Sequence, residues 1–191
     1  MKNLKLGCVI MASGNARRFG ANKLLADFYG EPLISRTFKA MPKDVFCKIA
    51  VVTQYDEVRR LAQNYGFYVI MNGTPEQGIS STVKLGTEFM YECDAVMFAV
   101  GDQPYLSQQT VCKAAELYAQ NTDKIIAAAH NGKRGNPCIF PKRFFDELLR
   151  LTGDVGGSAV IKKHPESLML FETDEKQLFD IDRPTDMYNM T

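Results

Sequence analysis

The sequence has almost no net charge and no long apolar run. Its 191 residues include 23 lysines and arginines against 22 aspartates and glutamates, which gives a formal net charge of +1. This balance provides no general attraction to nucleic acid or to a membrane surface, so any anion site must be local. No apolar stretch approaches the ~20 residues of a membrane-spanning helix, and the N-terminus lacks a signal-peptide pattern. We therefore expect a cytoplasmic protein without nucleic-acid or membrane partners.

Paired cysteines and the common nucleotide-binding fingerprints are also missing. The five cysteines are far apart and form no C-x-x-C pair, which favours reduced thiols over a disulfide framework or a zinc site. The P-loop spacing fails because five residues separate Gly14 from Gly20. The dinucleotide pattern G-x-G-x-x-G also fails after Gly14, because Ala16 stands where the second glycine is needed and Arg17 follows it. A dinucleotide-binding oxidoreductase is therefore disfavoured.

Strand and helix patterns alternate along almost the whole chain. Apolar runs such as residues 6–11 and 94–100 predict buried strands, and amphipathic segments between such runs predict helices. This order predicts a Rossmann-like three-layer α/β/α fold with a mostly parallel sheet. The length fits a single domain over residues 1–191, burying roughly 70% of its unfolded surface. Residues 134–137 are predicted to form a turn before a short strand at 138–140.

The loop after the first strand, residues 12–23, has the composition of a polyphosphate site. Small residues allow a ligand to approach the backbone, and nearby cations supply the opposite charge. The small residues are Ala12, Ser13 and Gly14, and the cations are Arg17, Arg18 and Lys23. The alternative is a solvated turn with scattered basic residues.

A carboxylate follows another buried strand in the motif G-D-Q-P, residues 101–104. Asp102 is therefore a candidate ligand for Mg²⁺, which binds one or two carboxylates together with phosphate oxygens and water. The alternative is an aspartate that only serves a turn or a helix cap. A basic loop expected at the same edge of the sheet favours the metal, because Mg²⁺ and lysine together stabilise charge on a transferring phosphoryl group.

Two further loops carry polar residues that could contact a substrate. Ser80 and Ser81 follow Gly78 at a predicted helix N-terminus, where hydroxyl and amide groups can contact phosphate, ribose or base; ordinary helix capping is the alternative. Asn136 and Pro137 could orient a second substrate or could simply mark a turn. Residues 12–23, 72–81 and 101–104 each follow a predicted strand, so we expect these loops to meet at one edge of the sheet.

Taken together and in this order, the motifs resemble those of the MobA-like nucleotidyltransferases, most closely the molybdenum cofactor cytidylyltransferases. The family's first loop, L-A-A-G-x-S-x-R-F-G-x-x-K-L-L, corresponds to M-A-S-G-N-A-R-R-F-G-A-N-K-L-L here. The motifs G-E-P-L, Q-G-I-S-S, G-D-Q-P, G-N-P and D-I-D-R-P also match. The resemblance covers nearly the whole chain.

The resemblance implies a nucleotide-diphospho-sugar transferase-like fold and Mg²⁺-dependent transfer of CMP from CTP to the phosphate of molybdopterin, with release of pyrophosphate. The implied nucleotide site is Ala12, Ser13, Gly14, Arg18, Lys23, Gly78, Ser80, Ser81 and Asp102, of which Lys23, Arg18 and Asp102 are the implied catalytic residues. The implied metal ligands are Asp102 and Asp182, with Asp180 as a substitute. The implied pterin site is Asn136 and Pro137 together with the G-D-V-G-G segment, residues 153–157, which contains Gly156 and Gly157.

The sequence departs from the family pattern at three positions. Ser13 and Ala16 replace other small residues, so the loop geometry should persist, and the A-S-G triplet favours CTP over GTP. Ser158 stands where the family motif G-D-x-G-A-R has arginine, which weakens the assignment of the acceptor. The alternatives are a GTP-using enzyme, a sugar- or polyol-phosphate nucleotidyltransferase, or a non-catalytic cofactor carrier or insertion chaperone for a molybdenum hydroxylase.

Overall fold

Strands and helices alternate along the chain in the computed structural model, which describes residues 4–14, 19 and 22–187. The strands are β1 (Leu6–Ala12), β2 (Asp27–Phe28), β3 (Glu31–Pro32), β4 (Lys48–Thr53), β5 (Tyr68–Met71), β6 (Ala95–Val100), β7 (Ile125–His130), β8 (Lys133–Pro141) and β9 (Leu168–Glu172). The α-helices are α1 (Leu33–Lys39), α2 (Asp56–Asn64), α3 (Ile79–Phe89), α4 (Gln108–Gln120), α5 (Phe145–Leu149) and α6 (Ser158–Lys163). No helix among the described residues has the length and apolar character needed to cross a membrane.

A seven-stranded sheet in the order β5-β4-β1-β6-β8-β7-β9 forms the middle layer of the protein. Strand β8 runs antiparallel to β6 and β7, whereas the other neighbouring pairs are parallel. Along β1, Ile10 packs into the apolar core that includes Phe38 of α1, and Val9 packs into the opposite core with Val83 of α3. The predicted three-layer fold with a mostly parallel sheet is therefore confirmed.

The prediction of a turn at residues 134–137 was wrong. Residues 133–141 form one strand, and the tight turn lies at Asn131 and Gly132, which both have positive φ. The β7–β8 pairing is irregular where Ala127 pairs with Cys138 and Ala129 with Arg134. This irregularity contains Pro137, which has no N–H to donate to the ladder. The proline thus interrupts the pairing within a strand instead of preceding it.

Candidate active site

A cleft of about 810 Å³ opens over the carboxyl ends of β1 and β6. Its wall contains residues from all three loops that follow predicted strands, so the predicted convergence of these loops is confirmed. The predicted site residues that line it are Ser13, Gly14, Lys23, Gly78, Ser80, Asp102 and Asp182. The cleft therefore brings together predicted site residues that are up to 169 positions apart in the chain, Ser13 and Asp182.

Lys23 is the central charge of the cleft. Its Nζ lies 2.6 Å from Oδ2 of Asp102 and 3.3 Å from Oδ1 of Asp182, and it donates to the carbonyl of Ile181 at 2.8 Å. The side chains of Lys23 and Asp102 are only 13% and 20% exposed. Burial by itself lowers the pKa of Lys23, but the two carboxylates outweigh it and hold that pKa above its ordinary value. The lysine is therefore fully protonated at neutral pH.

The C-terminal segment brings Asp182 to this lysine. Ile181 is fully buried against Phe28 and Leu33, and its N–H donates to the carbonyl of Asp102 at 3.0 Å. Asp186 then accepts the N–H of Asp182 at 2.9 Å. The buried isoleucine fixes the segment, so the two flanking aspartates remain beside the G-D-Q-P loop.

Asp180 is a third carboxyl group in the same segment. Its partial removal from water and, to a lesser extent, the charge of Asp102 together raise its pKa to about 6, against a hydrogen bond from Gln103. The part of this rise that comes from Asp102 and Asp182 reflects the negative charge concentrated around Lys23. Such a density suits a site that receives a cation.

Asp102 and Asp182 fit Mg²⁺ as a metal bound jointly with phosphate. Because both carboxylates contact the same ammonium nitrogen, their oxygens converge on one point. Two carboxylates, completed by phosphate oxygens and water, form a ligand set that Mg²⁺ prefers. Within residues 4–14, 19 and 22–187, no cluster of three or more histidine, cysteine or acidic side chains could hold a metal. The metal would therefore depend on ligands from a bound nucleotide.

The end of β4 and the residues after it hold the start of the first loop. Three successive side chains donate to three successive carbonyls: Thr53 to Ala12 at 3.0 Å, Gln54 to Ser13 at 2.8 Å, and Tyr55 to Gly14 at 2.8 Å. These bonds direct the carbonyl oxygens towards β4, where they would not repel a phosphate. Ala12 is buried, whereas Ser13 and Gly14 reach the cleft. Arg18 lies outside the described residues.

The N-terminus of α3 is capped by a loop from the other end of the chain. The N–H groups of Ile79 and Ser80 donate to Oδ1 of Asp154 and to the carbonyl of Gly153, each at 3.2 Å. Gly78 has φ +81°, and a Cβ there would lie 2.7 Å from the Cα of Asp154. The missing side chain thus allows this loop to dock against the helix.

The hydroxyls of Ser80 and Ser81 take part in bonds within the protein. Ser80 Oγ donates to the carbonyl of Gln77 at 3.3 Å, and Ser81 Oγ donates to the carbonyl of Gly78 at 2.9 Å. Ser81 Oγ also accepts from Asn72 at 2.9 Å. Ser80 is one of the residues that line the cleft. Ser81 is buried and is not among the described lining residues.

The four residues predicted for the second substrate are not among the described residues that line the cleft: Asn136, Pro137, Gly156 and Gly157. A Cβ on Gly156 would lie 3.1 Å from Ile79, and a Cβ on Gly157 would lie 2.6 Å from Phe140. The two glycines therefore allow close packing against these side chains, and the assignment to a second substrate stays a prediction.

Glu76 and Lys84 line the cleft although neither was a candidate site residue. Gly153 and Asp154 also line it, and they begin the G-D-V-G-G segment that the resemblance assigns to the second substrate. The side chain of Lys84 gave no local signal, since a lysine in a helix is usually solvated.

The fold is that of the nucleotide-diphospho-sugar transferases, as the sheet order and the solved structures similar to it indicate. Residues 8–168 match the MobA-like NTP transferase domain. The chain belongs to this family, as the sequence motifs predicted.

Individual proteins are also similar to this chain in sequence or in fold. A 3-deoxy-manno-octulosonate cytidylyltransferase of Francisella tularensis subsp. holarctica (strain LVS) is 28% identical over 111 residues, which are 56% of this chain and 43% of that protein. The match thus spans less than half the length of this curated relative. Rv0371c from Mycobacterium tuberculosis H37Rv has a TM-score of 0.80 at 19% identity, covering 98% of this chain and 97% of its own. The same protein was also solved in complex with manganese.

A nucleotidyl transferase from Methanothermobacter shares the fold as well. Its TM-score is 0.80 at 20% identity, with 95% of this chain and 94% of that chain covered. At this identity, the likeness concerns the fold.

Proposed function

We propose that this protein is a Mg²⁺-dependent nucleotidyltransferase that transfers CMP from CTP to a phosphate-bearing acceptor and releases pyrophosphate. The observation that carries this proposal is the cluster of Lys23, Asp102 and Asp182 beside the small residues of the first loop. One cation and two carboxylates in a cleft over strand ends suit a triphosphate that arrives with its metal.

The reaction requires alignment and charge neutralisation rather than a covalent enzyme intermediate. An oxygen of the acceptor attacks the α-phosphorus of CTP, and the bond to the bridging oxygen breaks as pyrophosphate leaves. Mg²⁺, when held by Asp102 and Asp182, supplies positive charge to the phosphate oxygens. Lys23 holds its proton, positions both carboxylates and neutralises charge that develops on the leaving phosphates. Arg18 is assigned to the same phosphates on the sequence resemblance.

CTP as the donor is supported by the A-S-G triplet and by the cytidylyltransferase name of the Francisella relative. Molybdopterin as the acceptor rests on the resemblance of the motifs to the cofactor branch. A sugar acid or sugar phosphate is a second candidate, because the same relative is named for 3-deoxy-manno-octulosonate and because Ser158 departs from the cofactor motif.

The donor and the acceptor can be identified in one matrix of reactions. The protein is incubated with Mg²⁺, each of the four NTPs and either molybdopterin, a sugar phosphate or 3-deoxy-manno-octulosonate, and the product is identified by mass spectrometry. We expect pyrophosphate release with CTP and a cytidylylated molybdopterin. A cytidylylated sugar would assign the second acceptor. Absence of pyrophosphate with every pair would contradict the enzymatic function and favour a carrier or chaperone for a molybdenum hydroxylase.

A further inference from the structure

Helix α3 brings a second lysine into the cleft. Lys84 lines the cleft one turn after Ser80 and is partly buried. In the part of the chain that the structure describes, no ion pair or hydrogen bond engages its ammonium group. Lys23, in contrast, has three oxygen partners within 3.3 Å. One lysine of the cleft is therefore engaged by the protein, and the other has its donors free.

The two lysines approach the cleft from opposite faces of the sheet. Leu24, next to Lys23, packs in the core that contains Ile10. Val83, next to Lys84, packs in the core that contains Val9. Because successive residues of β1 point to opposite faces, these two cores lie on either side of the sheet. Two ligands that meet over the carboxyl ends of the strands would thus have Lys23 on one face of the sheet and Lys84 on the other.

Among the described residues, none of the four acidic side chains that line the cleft pairs with Lys84. Asp102 and Asp182 contact Lys23, and Asp154 accepts the N–H of Ile79 at the start of α3. Glu76 forms no ion pair with Lys84. A partly buried ammonium loses some hydration, so a charge-assisted bond to a ligand anion gains more there than on an open surface. Lys84 lines the same cleft as the proposed triphosphate site.

We propose that Lys84 binds the anionic group of the acceptor, a phosphate or a carboxylate, while the Lys23 cluster binds the metal and the triphosphate. This assignment rests on the proposed nucleotidyl transfer and deepens it by requiring an anionic acceptor. The attacking oxygen forms a bond to the α-phosphorus, and the electron pair of the broken bond leaves with pyrophosphate. A hydroxyl nucleophile would release its proton to solvent.

Steady-state kinetics on Lys84→Gln tests this role. We expect the KM for the acceptor to rise roughly 10- to 100-fold, as loss of one charge-assisted hydrogen bond predicts, with the KM for CTP little changed. Lys84→Arg should recover most of the acceptor affinity. Lys162→Gln is the matched control, because Lys162 is an exposed lysine on α6. A rise confined to the KM for CTP, or no change in either KM, would overturn the assignment.

A second measurement does not depend on turnover. Acetylation of each lysine in the intact protein is followed by mass spectrometry with glucose 1-phosphate, 3-deoxy-manno-octulosonate, neutral glucose, or Mg²⁺ and CTP present. We expect one of the two anions to slow acetylation of Lys84 and leave Lys162 unaffected, and the protecting anion identifies the acceptor class. No protection by either anion, or protection by Mg²⁺ and CTP alone, would overturn the proposal.

The two measurements separate the failure of this proposal from failure of the proposed function. Protection of Lys84 by an anion without pyrophosphate release would retain the anion site and contradict the enzymatic function. Pyrophosphate release that is unaffected in Lys84→Gln would retain the enzymatic function and contradict the role of Lys84.

Discussion

Lys23 connects three parts of the chain through one ammonium group. An exposed ion pair is worth about 0–1 kcal/mol, so the charge of Lys23 on an open surface would contribute little to folding. Here the lysine is largely buried, and it holds two carboxylates that would otherwise repel each other. Its raised pKa means that this contribution is complete below the ordinary lysine range and is lost only as the pH rises above it. The cluster is therefore stable across neutral pH.

Lys23→Ala should weaken binding of the triphosphate. Removal of a buried cation leaves two carboxylates unpaired and removes a charge-assisted bond to phosphate, so we expect the Kd for CTP with Mg²⁺ to rise about 10-fold or more. Isothermal titration calorimetry measures this change, with Lys162→Ala as the control. Equal nucleotide affinity in Lys23→Ala and in the wild type would remove Lys23 from the triphosphate site.

The pairing of Lys23 with Asp102 was predictable from the sequence, whereas the role of Asp154 was not. Each of the first two follows a strand of a parallel sheet, and the ends of such strands meet at one edge. Asp154 follows no strand of this edge and reaches Ile79 only because its loop docks on α3, 75 positions away in the chain. Docking of a loop on a distant helix depends on tertiary packing, which no local pattern contains.

At the scale of elements, the contact between α3 and the loop at Gly153 and Asp154 forms one wall of the cleft. This contact needs Gly78, because its positive φ and the 2.7 Å approach of the Asp154 backbone leave no room for a side chain. The position of the wall that contains Ser80 and Lys84 thus depends on the absence of a side chain at Gly78.

Gly78→Ala should displace this wall. The strained φ and the steric clash should lower the free energy of unfolding by roughly 1–3 kcal/mol and raise the Kd for CTP. Gly73→Ala is the matched control: Gly73 lies in the same loop with no atom within 4 Å of an added Cβ, so a change within about 0.5 kcal/mol is expected. Urea unfolding measures both variants, and equal stabilities would contradict the role of Gly78.

Helix α4 is joined to the strand layer by Tyr118, which predicts a pH dependence of stability. Its hydroxyl donates to the carbonyl of Asp94 at 3.3 Å, and burial, together with the charge of Asp94, raises its pKa from 10.0 to about 12. Between these two pH values the tyrosine ionises in the unfolded chain but not in the folded one, so the wild type loses stability as the pH rises.

Tyr118→Phe lacks this ionisation. We expect the variant to be about 1 kcal/mol less stable than the wild type near pH 8, from the lost hydrogen bond, and the gap to narrow above pH 10. Urea unfolding at a series of pH values measures the gap. A gap that stays constant up to pH 12 would contradict the raised pKa of Tyr118.

The elements also show where a local pattern misleads. The alternation of apolar strands and amphipathic helices predicted the layers correctly, since burial on both sheet faces requires it. The break at Pro137 was recognised but assigned to a turn. In a sequence, a proline is compatible both with a turn and with an irregularity inside a strand. The pair Asn131 and Gly132 is a strong hairpin signal and marks the true turn.

At the scale of the whole molecule, the charged residues of the cleft lie at the carboxyl ends of β1 and β6. The cleft spans both sheet faces, with the Lys23 cluster next to one core and Lys84 next to the other. A donor bound on one side and an anionic acceptor bound on the other would meet above β1 and β6. In the proposed reaction, residues from both ends of the chain would therefore act together.

The role of Asp102 in the proposed transfer can be measured by following radiolabel from α-labelled CTP to the acceptor in the wild type and in Asp102→Asn. We expect the variant to keep its fold by circular dichroism but to transfer label at least about 100-fold more slowly, because it lacks a carboxylate that would hold Mg²⁺. Asp123→Asn, which changes an exposed carboxylate outside the cleft, should behave as the wild type. Label transfer by Asp102→Asn at the wild-type rate would contradict the account.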